Sequence, residues 1–336
     1  MMDYQVIWFI LITVLFTGFF FLEGFDYGVG MLFPFVSKRE EDRSLILRTI
    51  GPVWDGNEVW MITAGGALFA AFPHVYATMF SAFYLALFLM LAALILRGVA
   101  FELRTKEQCA CWQKMWDAAI FIGSIVPAFL WGVAVTDLAA GLPIGANMVY
   151  QGNFPGLLSP YSILGGILFV LVFAYHGASF LQLRLLDKGL LYKIQSLGKC
   201  VGGSAVIAYV LYLMLTIENT DLLTRPCAWG LFIATAIFFL SSLYLFAKKP
   251  SPLSFILGAL AIASVTIGFF AGMFPRLMVS SLNPDWSLTI TNASSTEYTL
   301  SIMTVAAFVL VPIVLIYQIW TYYIFRKRIH ADSAHY

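Results

Sequence analysis

Four acidic residues interrupt apolar segments near the start of this 336-residue chain, and they occur as two pairs. Glu23 and Asp26 lie in the first apolar segment, and Asp55 and Glu58 lie at the beginning of the second. The members of each pair are three positions apart, so on a helix each pair shares one face. An ionisable group at membrane depth costs several kcal/mol unless it is paired or hydrated, so such residues usually have a function.

Carboxyl groups that lead into a helical bundle can relay protons, because acids, amides and water molecules pass protons between them. We therefore predict a proton pathway formed by Asp55, Glu58, Glu23 and Asp26 together with the amide of Asn57. The alternative for Asp55 and Glu58 is that they only cap the second helix, since acids favour a helix N-terminus.

Two further charged residues belong to the same part of the sequence. Arg97 ends the third apolar segment and Asp117 begins the fourth. Arg97 could be the ion-pair partner of Asp26, and Asp117 could be a helix cap. We predict that Arg97 and Asp117 form structural ion pairs or line the channel, and that the charges within the membrane are confined to the first four helices.

The composition identifies the elements that must hold these residues. The chain is 61% hydrophobic and 11% charged, with a mean hydropathy of +0.86, whereas soluble domains carry about 25% charged residues. Apolar runs of about 20 residues recur along the whole length, which is typical of membrane-spanning helices. We predict an all-α integral membrane protein. The net charge of +1 carries no information about nucleic acid, and no basic cluster is large enough to indicate it, so we predict no nucleic-acid partner.

The apolar runs predict nine transmembrane helices, at about 5–36, 50–72, 75–98, 115–136, 161–183, 201–217, 226–246, 254–274 and 300–325. With these spans, 17 of the 19 basic residues fall on one side of the membrane. The positive-inside rule makes that side cytoplasmic, so the N-terminus is outside and the C-terminus is cytoplasmic. The four acids then lie in the cytoplasmic half of the membrane. The start of the chain lacks a basic segment and a cleavage site, so we interpret the first span as retained.

Histidine and cysteine residues provide little for a cofactor or a metal. Of His74, His176, His330 and His335, only His176 lies clearly inside a predicted span. A bis-histidine haem needs two ligands on facing helices, so we predict that this chain binds no haem; a haem held by His176 and a methionine is the alternative. The four cysteines do not have the spacing of a zinc or iron–sulfur site, and we predict no metal site.

Several runs of residues resemble subunit II of the cytochrome bd quinol oxidases. They are EGFDYGVG at 23–30, WDGNEVW at 54–60 and TAGGALFAAFP at 63–73, followed by MWD at 115–117, FIGS at 121–124 and GMFP at 272–275. The resemblance extends over about 1–325 and is dense in the first 130 residues, whereas 140–250 matches mainly in hydropathy.

The resemblance implies a fold and a set of partners. The fold would be a single polytopic membrane domain over 1–336, with a first four-helix bundle in 1–136, spans 5–8 in 161–274 and a peripheral ninth helix at 298–326. The chain would pair with subunit I, which carries two haems b, haem d and the site for quinol. The complex would reduce dioxygen to water in a prokaryotic cytoplasmic membrane. A small single-span accessory subunit and membrane lipids would complete it, and some members contain a structural quinone.

The resemblance also implies roles for particular residues. Asp55 matches the acid of the proton channel at the subunit interface, Glu23 and Asp26 match the acidic pair of the first span, and Arg97 matches a basic residue that ends the third. We therefore expect a haem-free subunit that lines a cytoplasmic proton path. Two alternatives stay open: a proton-coupled secondary transporter, and a scaffold whose acids only form ion pairs.

Overall fold

A computed structural model of the chain describes residues 3–36, 38–248 and 250–329. This part is mostly helical, and each predicted span falls on a helix. The α-helices are α1 (Tyr4–Val36), α2 (Glu40–Arg48), α3 (Trp54–Ala71), α4 (Pro73–Ala82), α5 (Tyr84–Leu103), α6 (Ala110–Ala140), α7 (Pro160–Arg184), α8 (Lys188–Asn219), α9 (Pro226–Lys248), α10 (Pro252–Met273) and α11 (Glu297–Ile324).

Eight helices of the described part are long and apolar enough to cross a membrane. The helix α3, which corresponds to the predicted second span, is not among them because Asp55, Asn57 and Glu58 lower the hydropathy of its first turns. Its 18 residues would still extend about 27 Å at 1.5 Å per residue, close to the thickness of a bilayer core. Nine spans and their orientation therefore stay a prediction.

Three features differ from the predicted arrangement of nine helical spans. The predicted third span is divided into α4 and α5, because the chain leaves helical geometry at Phe83. The helix α2 was not predicted, since its mean hydropathy is low and three acids occupy its first turn. A small antiparallel sheet, β1 (Arg276–Met278) with β2 (Leu288–Thr289), lies in the connection between α10 and α11.

The first helix is central to the packing. The helix α1 contacts α3, α6, α7, α10 and α11, while α5 packs on α6, α7 packs on α8, and α9 packs on α10. Large aromatic side chains of α1, including Phe19, Phe25 and Phe33, are fully buried. The acids on α1, Glu23 and Asp26, lie among these buried side chains and are removed from solvent.

Two glycines let α1 and α7 cross with their backbones in contact. A Cβ atom on Gly28 would lie 1.9 Å from the carbonyl oxygen of Phe173, and one on Gly177 would lie 2.4 Å from the carbonyl carbon of Gly28. Small residues at a crossing allow such close packing in membranes. By contrast, a Cβ on Gly65 or Gly66 of α3 would have no atom within 4 Å, so that part of α3 is open.

The last helix lies at the edge of the molecule and is held by a few polar contacts. Near its start, the indole nitrogen of Trp8 donates to the carbonyl oxygen of Leu300 at 3.2 Å and to the hydroxyl of Thr304 at 3.0 Å. At its other end, Arg184 of α7 donates to the carbonyl oxygen of Phe325. Most large apolar side chains of α11 are exposed, so this helix offers a wide apolar surface.

Candidate functional site

A buried ion pair joins α1 to α5. The guanidinium of Arg97 donates to Oε1 of Glu23, and both side chains have no solvent exposure. The guanidinium also lies over the rings of Tyr27 and Phe101, with its central carbon 4.9 and 5.5 Å from the ring centroids. Such cation–π contacts stabilise a cation that has left water. The pair is close to α6 because Gly123 has no side chain to keep α5 away: a Cβ there would lie 2.5 Å from the Cβ of Arg97.

The second acid of α1 has a different partner. The amide nitrogen of Asn57 donates to Oδ2 of Asp26 at 2.6 Å, and Asp26 is fully buried. Arg97 is therefore paired with Glu23 rather than with Asp26, which was the pairing considered from the sequence. One turn of α1 thus presents an ion-paired carboxyl group and an amide-bonded carboxyl group, side by side.

Asn57 links this site to the last helix. Its amide oxygen accepts hydrogen bonds from the hydroxyl of Tyr322 at 2.8 Å and from the amide of Gln318 at 3.2 Å. The side-chain oxygen Oε1 of Gln318 accepts a hydrogen bond from the indole nitrogen of Trp60 at 2.7 Å. Gln318 and Tyr322 were missed in the sequence, because neutral polar residues near the end of a span resemble ordinary interface residues.

Several polar atoms of this site have no hydrogen-bond partner among the described residues. They are Oε2 of Glu23, Oδ1 of Asp26, the hydroxyl of Tyr27, and Nε and Nη2 of Arg97. Buried polar groups in proteins nearly always bond to protein or to ordered water. These atoms therefore keep hydrogen-bonding capacity that no described protein group satisfies.

Asp55 and Glu58 lie outside this buried centre, on the first turns of α3. Asp55 is exposed and Glu58 is half-buried, and Glu58 is close enough to Asp55, Arg97 and Glu23 for their charges to interact. Burial thus increases from Asp55 through Glu58 to Glu23. No hydrogen bond within the described ranges joins Asp55 or Glu58 to the buried acids, so a proton would need water to pass between them.

Asp117 lies in a separate cluster of charges where α2, α5 and α6 meet. Its two carboxylate oxygens accept bonds from Arg104 and from Arg43, both at 2.6 Å. Arg104 also binds both oxygens of Glu40, at 2.7 and 2.8 Å. Partial burial favours a raised pKa for Glu40, but the hydrogen bonds from Arg104 and Ser44 outweigh it and leave that pKa below its usual value.

A further acid lies at the opposite end of α6 and was not predicted as a buried charge. The predicted fourth span ended at 136, but α6 continues to Ala140, so Asp137 is part of the helix and is 6% exposed. Its side chain lies beside Ser162, in the first turn of α7. Asp137 is thus a buried acid on the helix of the predicted fourth span, at the opposite end of that helix from Asp117.

The surroundings of His176 do not fit a haem. Its Nε2 lies 3.1 Å from the carbonyl oxygen of Phe21, and its ring stacks on Phe255 with centroids 4.7 Å apart. A Cβ on Gly258 would lie 3.3 Å from Nδ1, so the backbone of α10 covers that nitrogen. Within the described ranges there is no group of three or more His, Cys, Asp or Glu residues that could hold a metal. His330 and His335 lie outside the described residues.

The fold and the site together define the class of protein. The chain is a multi-pass helical membrane protein that holds a fully buried ion pair and a second buried acid among its spans. It matches, over residues 4–325, the model of the family described as cytochrome bd terminal oxidase subunit II. The chain therefore belongs to this family, as the sequence runs indicated, and is a subunit of a respiratory oxidoreductase complex.

Known relatives agree with this assignment along nearly the whole chain. The chain is 42% identical to cytochrome bd ubiquinol oxidase subunit 2 of Bacillus subtilis, with 96% of each chain covered. It is 35% identical to cytochrome bd-I ubiquinol oxidase subunit 2 of Escherichia coli K12, covering 99% of this chain and 98% of the relative. The fold matches a chain in the structure of bd oxidase from Geobacillus thermodenitrificans with a TM-score of 0.76, at 17% identity, covering 96% and 97% of the two chains.

Proposed function

We propose that this chain is the haem-free subunit of a quinol:dioxygen oxidoreductase and that it lines a proton path from the cytoplasm toward the haem-bearing subunit. The observation that carries the proposal is the graded burial of the acids, from exposed Asp55 through half-buried Glu58 to buried Glu23 and Asp26. A path for protons must begin where water has access and end where it has little. A transporter, the other class considered, is disfavoured by the family to which the chain belongs.

In this path the side chains have different tasks. Asp55 takes a proton from bulk water, and Glu58, beside it on the same helix face, takes it toward the interior. Glu23 and Asp26 receive it, and the positive charge of Arg97 compensates their negative charge when the proton leaves. Asn57 holds Asp26 in place through a 2.6 Å hydrogen bond. The reduction of dioxygen itself is supplied by the haems of the partner subunit.

The exposed face of α3 supports pairing with that subunit. Asp55, Val59, Ile62, Gly66 and Phe69 are all exposed and follow one another at intervals of four and three residues. This is the spacing of a helix that packs lengthwise on another helix. The neighbouring faces of α5 and α11 are also apolar and exposed. Asp55 lies at one end of this surface, so its proton path would run along the subunit interface.

The surroundings of the complex follow from the same assignment. The bacterial relatives support a location in a prokaryotic cytoplasmic membrane. A small single-span subunit as a further partner is part of the proposal and rests on the family resemblance alone. An apolar cavity of about 200 Å³ lies inside the chain, lined by Phe20, Trp131, Phe173 and Phe270 among others. Such a cavity suits the isoprenoid chain of a structural quinone, or a lipid tail.

The test is the Asp55→Asn variant of the oxidase. Asparagine keeps the shape of the side chain and removes the ability to carry a proton. We expect oxygen consumption to fall at least tenfold, about 1.4 kcal/mol in the barrier, while the haem spectrum of the purified complex stays that of the native enzyme. The measurement is oxygen uptake with quinol, together with the reduced-minus-oxidised spectrum.

Glu107→Gln is the matched control, because Glu107 is an exposed acid in the loop after α5 and has no place in the path. Unchanged oxygen uptake in Asp55→Asn would contradict the proton role. Loss of haem or of the partner subunit would instead support the scaffold, in which the acids serve only assembly.

A further inference from the structure

The exposed face of α6 changes character along its length. It begins with Lys114 and continues through Ala118 and Ile122, which are all exposed and follow one another at intervals of four along one side of the helix, with exposed Met115 next to them. A single cation followed by an apolar stripe has the polarity of a phospholipid, which carries a charged headgroup above apolar chains. The spacing alone would fit any helix that emerges from a membrane, so it needs a second feature.

The second feature is a cleft beside Lys114, with a volume of about 340 Å³. The end of α1 forms one wall through Pro34 and Phe35, and α6 forms the other through Ala118 and Phe121. Phe35 is 66% exposed, and its ring meets that of Phe121 edge to face at 5.8 Å. These two rings leave an apolar surface that water would cover unfavourably and that an acyl chain would cover well.

The charges that line the cleft select the headgroup. Arg43, Lys114 and Asp117 face it. Asp117 is compensated by two guanidinium groups, since it accepts bonds from both Arg43 and Arg104. Lys114 is exposed, and no hydrogen bond or ion pair involves its ammonium group within the described residues. Since Arg104 also binds Glu40, the two guanidinium groups and the two carboxylates balance each other. The ammonium of Lys114 is the excess positive charge at the cleft, beside its apolar walls.

We propose that this cleft binds an anionic phospholipid, with the phosphate at the Lys114 ammonium and an acyl chain along Phe35 and Phe121. A zwitterionic lipid would bring a second cation close to Lys114 and Arg43, and so it would bind less well. An anionic phospholipid and a free phosphate ion both carry a phosphate group that could bind at Lys114. The apolar walls favour a phosphate that is attached to a lipid over a free phosphate ion.

The experiment uses the purified, delipidated oxidase complex and native mass spectrometry. Equal amounts of phosphatidylglycerol and phosphatidylcholine with identical acyl chains are added, and the bound lipids are counted. A basic residue near an anionic membrane surface contributes about fivefold in affinity. We expect phosphatidylglycerol to be retained about fivefold over phosphatidylcholine, this preference to disappear in Lys114→Gln, and Lys114→Arg to restore it.

The control is Lys193→Gln, which removes the same charge from an exposed lysine of α8 outside the cleft and should leave the preference unchanged. Equal retention of the two lipids by the native complex would overturn the proposal. An equal loss of the preference for phosphatidylglycerol in Lys114→Gln and Lys193→Gln would also overturn the proposal, because it would show that the preference depends on the net charge of the protein. Phe121→Ala should weaken the binding of both lipids, because it removes part of the apolar wall. If it has no effect and inorganic phosphate displaces phosphatidylglycerol, the site holds a free anion instead.

Discussion

At the scale of single residues, Arg97 makes the most consequential contacts. It is fully buried and forms an ion pair with Glu23, itself fully buried. Breaking one side of a buried pair costs about 3–5 kcal/mol, because the remaining charge has no compensation. We expect Arg97→Gln to lower the thermal unfolding midpoint of the purified complex clearly below that of the native protein.

The double variant Glu23→Gln/Arg97→Gln distinguishes the cost of an unpaired buried charge from the cost of the other contacts that Arg97 makes. With both charges removed, no uncompensated charge stays buried, and most of the lost stability should return. Scanning fluorimetry of the two variants in the same detergent measures this. A double variant no more stable than Arg97→Gln alone would show that the cost does not come from the unpaired carboxylate.

The sequence was sufficient to identify the ionisable residues of the site but not their partners. Glu23, Asp26 and Arg97 stand out because charges are rare in apolar segments. Whether Arg97 would meet Glu23 or Asp26 depends on the rotation of α5 against α1, and spacing along each helix does not determine this rotation. Gln318 is 261 positions from Asn57 and carries no charge, so nothing in the local sequence connects the two.

At the scale of elements, the short helix α2 is attached to the bundle by charges. Arg104, at the end of α5, binds both carboxylate oxygens of Glu40 in the first turn of α2. The pKa of Glu40 is lowered, with the bonds from Arg104 and Ser44 outweighing the opposing effect of partial burial. A carboxyl group whose pKa falls on folding stabilises the fold above its unfolded pKa of about 4.5. This stability is lost as the pH falls through the folded value.

The variant Glu40→Gln should therefore be less stable than the native protein at pH 7. The difference should shrink as the pH falls below about 4.5, because the native carboxyl group becomes protonated too. Unfolding midpoints of both proteins at pH 7 and at the lowest pH that the complex tolerates provide the comparison. A constant difference between the two proteins at both values would mean that Glu40 acts through packing and not through its charge.

Helices were the most predictable elements, since every apolar run that was predicted as a span coincides with helical structure. The exceptions have physical causes. The helix α2 has nine residues, too few for a hydropathy window, and its hydrogen bonds through Glu40 and Arg43 reach residues distant in the sequence. The break between α4 and α5 at Phe83 involves neither glycine nor proline, so the sequence contains no turn residue that predicts it. Asp137 was excluded from a span because a charge resembles a helix end, although α6 continues past it.

At the scale of the whole molecule, the open face of α3 is the feature that calls for a partner. A Cβ on Gly66 would have no atom within 4 Å, and exposed Ile62 and Phe69 flank it on the same face. If this face packs on subunit I, a large side chain at Gly66 must separate the two helices. We expect Gly66→Leu to leave this chain folded in the membrane and to abolish its co-purification with the haem-bearing subunit.

Gly203→Leu is the matched control, because Gly203 lies in the middle of α8 and its Cβ position is also open. It should leave pairing unchanged, since α8 is not part of the proposed interface. Affinity purification through a tag on this chain, followed by a haem spectrum, distinguishes the two variants. Normal pairing of Gly66→Leu would show that subunit I binds another face.

The hydrogen bonds that α11 makes to Asn57 also set an order of events during synthesis. Asn57 emerges from the ribosome early, whereas Gln318 and Tyr322, the donors to its amide oxygen, are 261 and 265 residues later. At about 5–20 residues per second, this interval is roughly ten to fifty seconds. During that time the amide oxygen lacks both donors within the nascent chain. A chain terminated prematurely before residue 318 would keep this defect permanently, and cellular proteases could recognise the incomplete product by it.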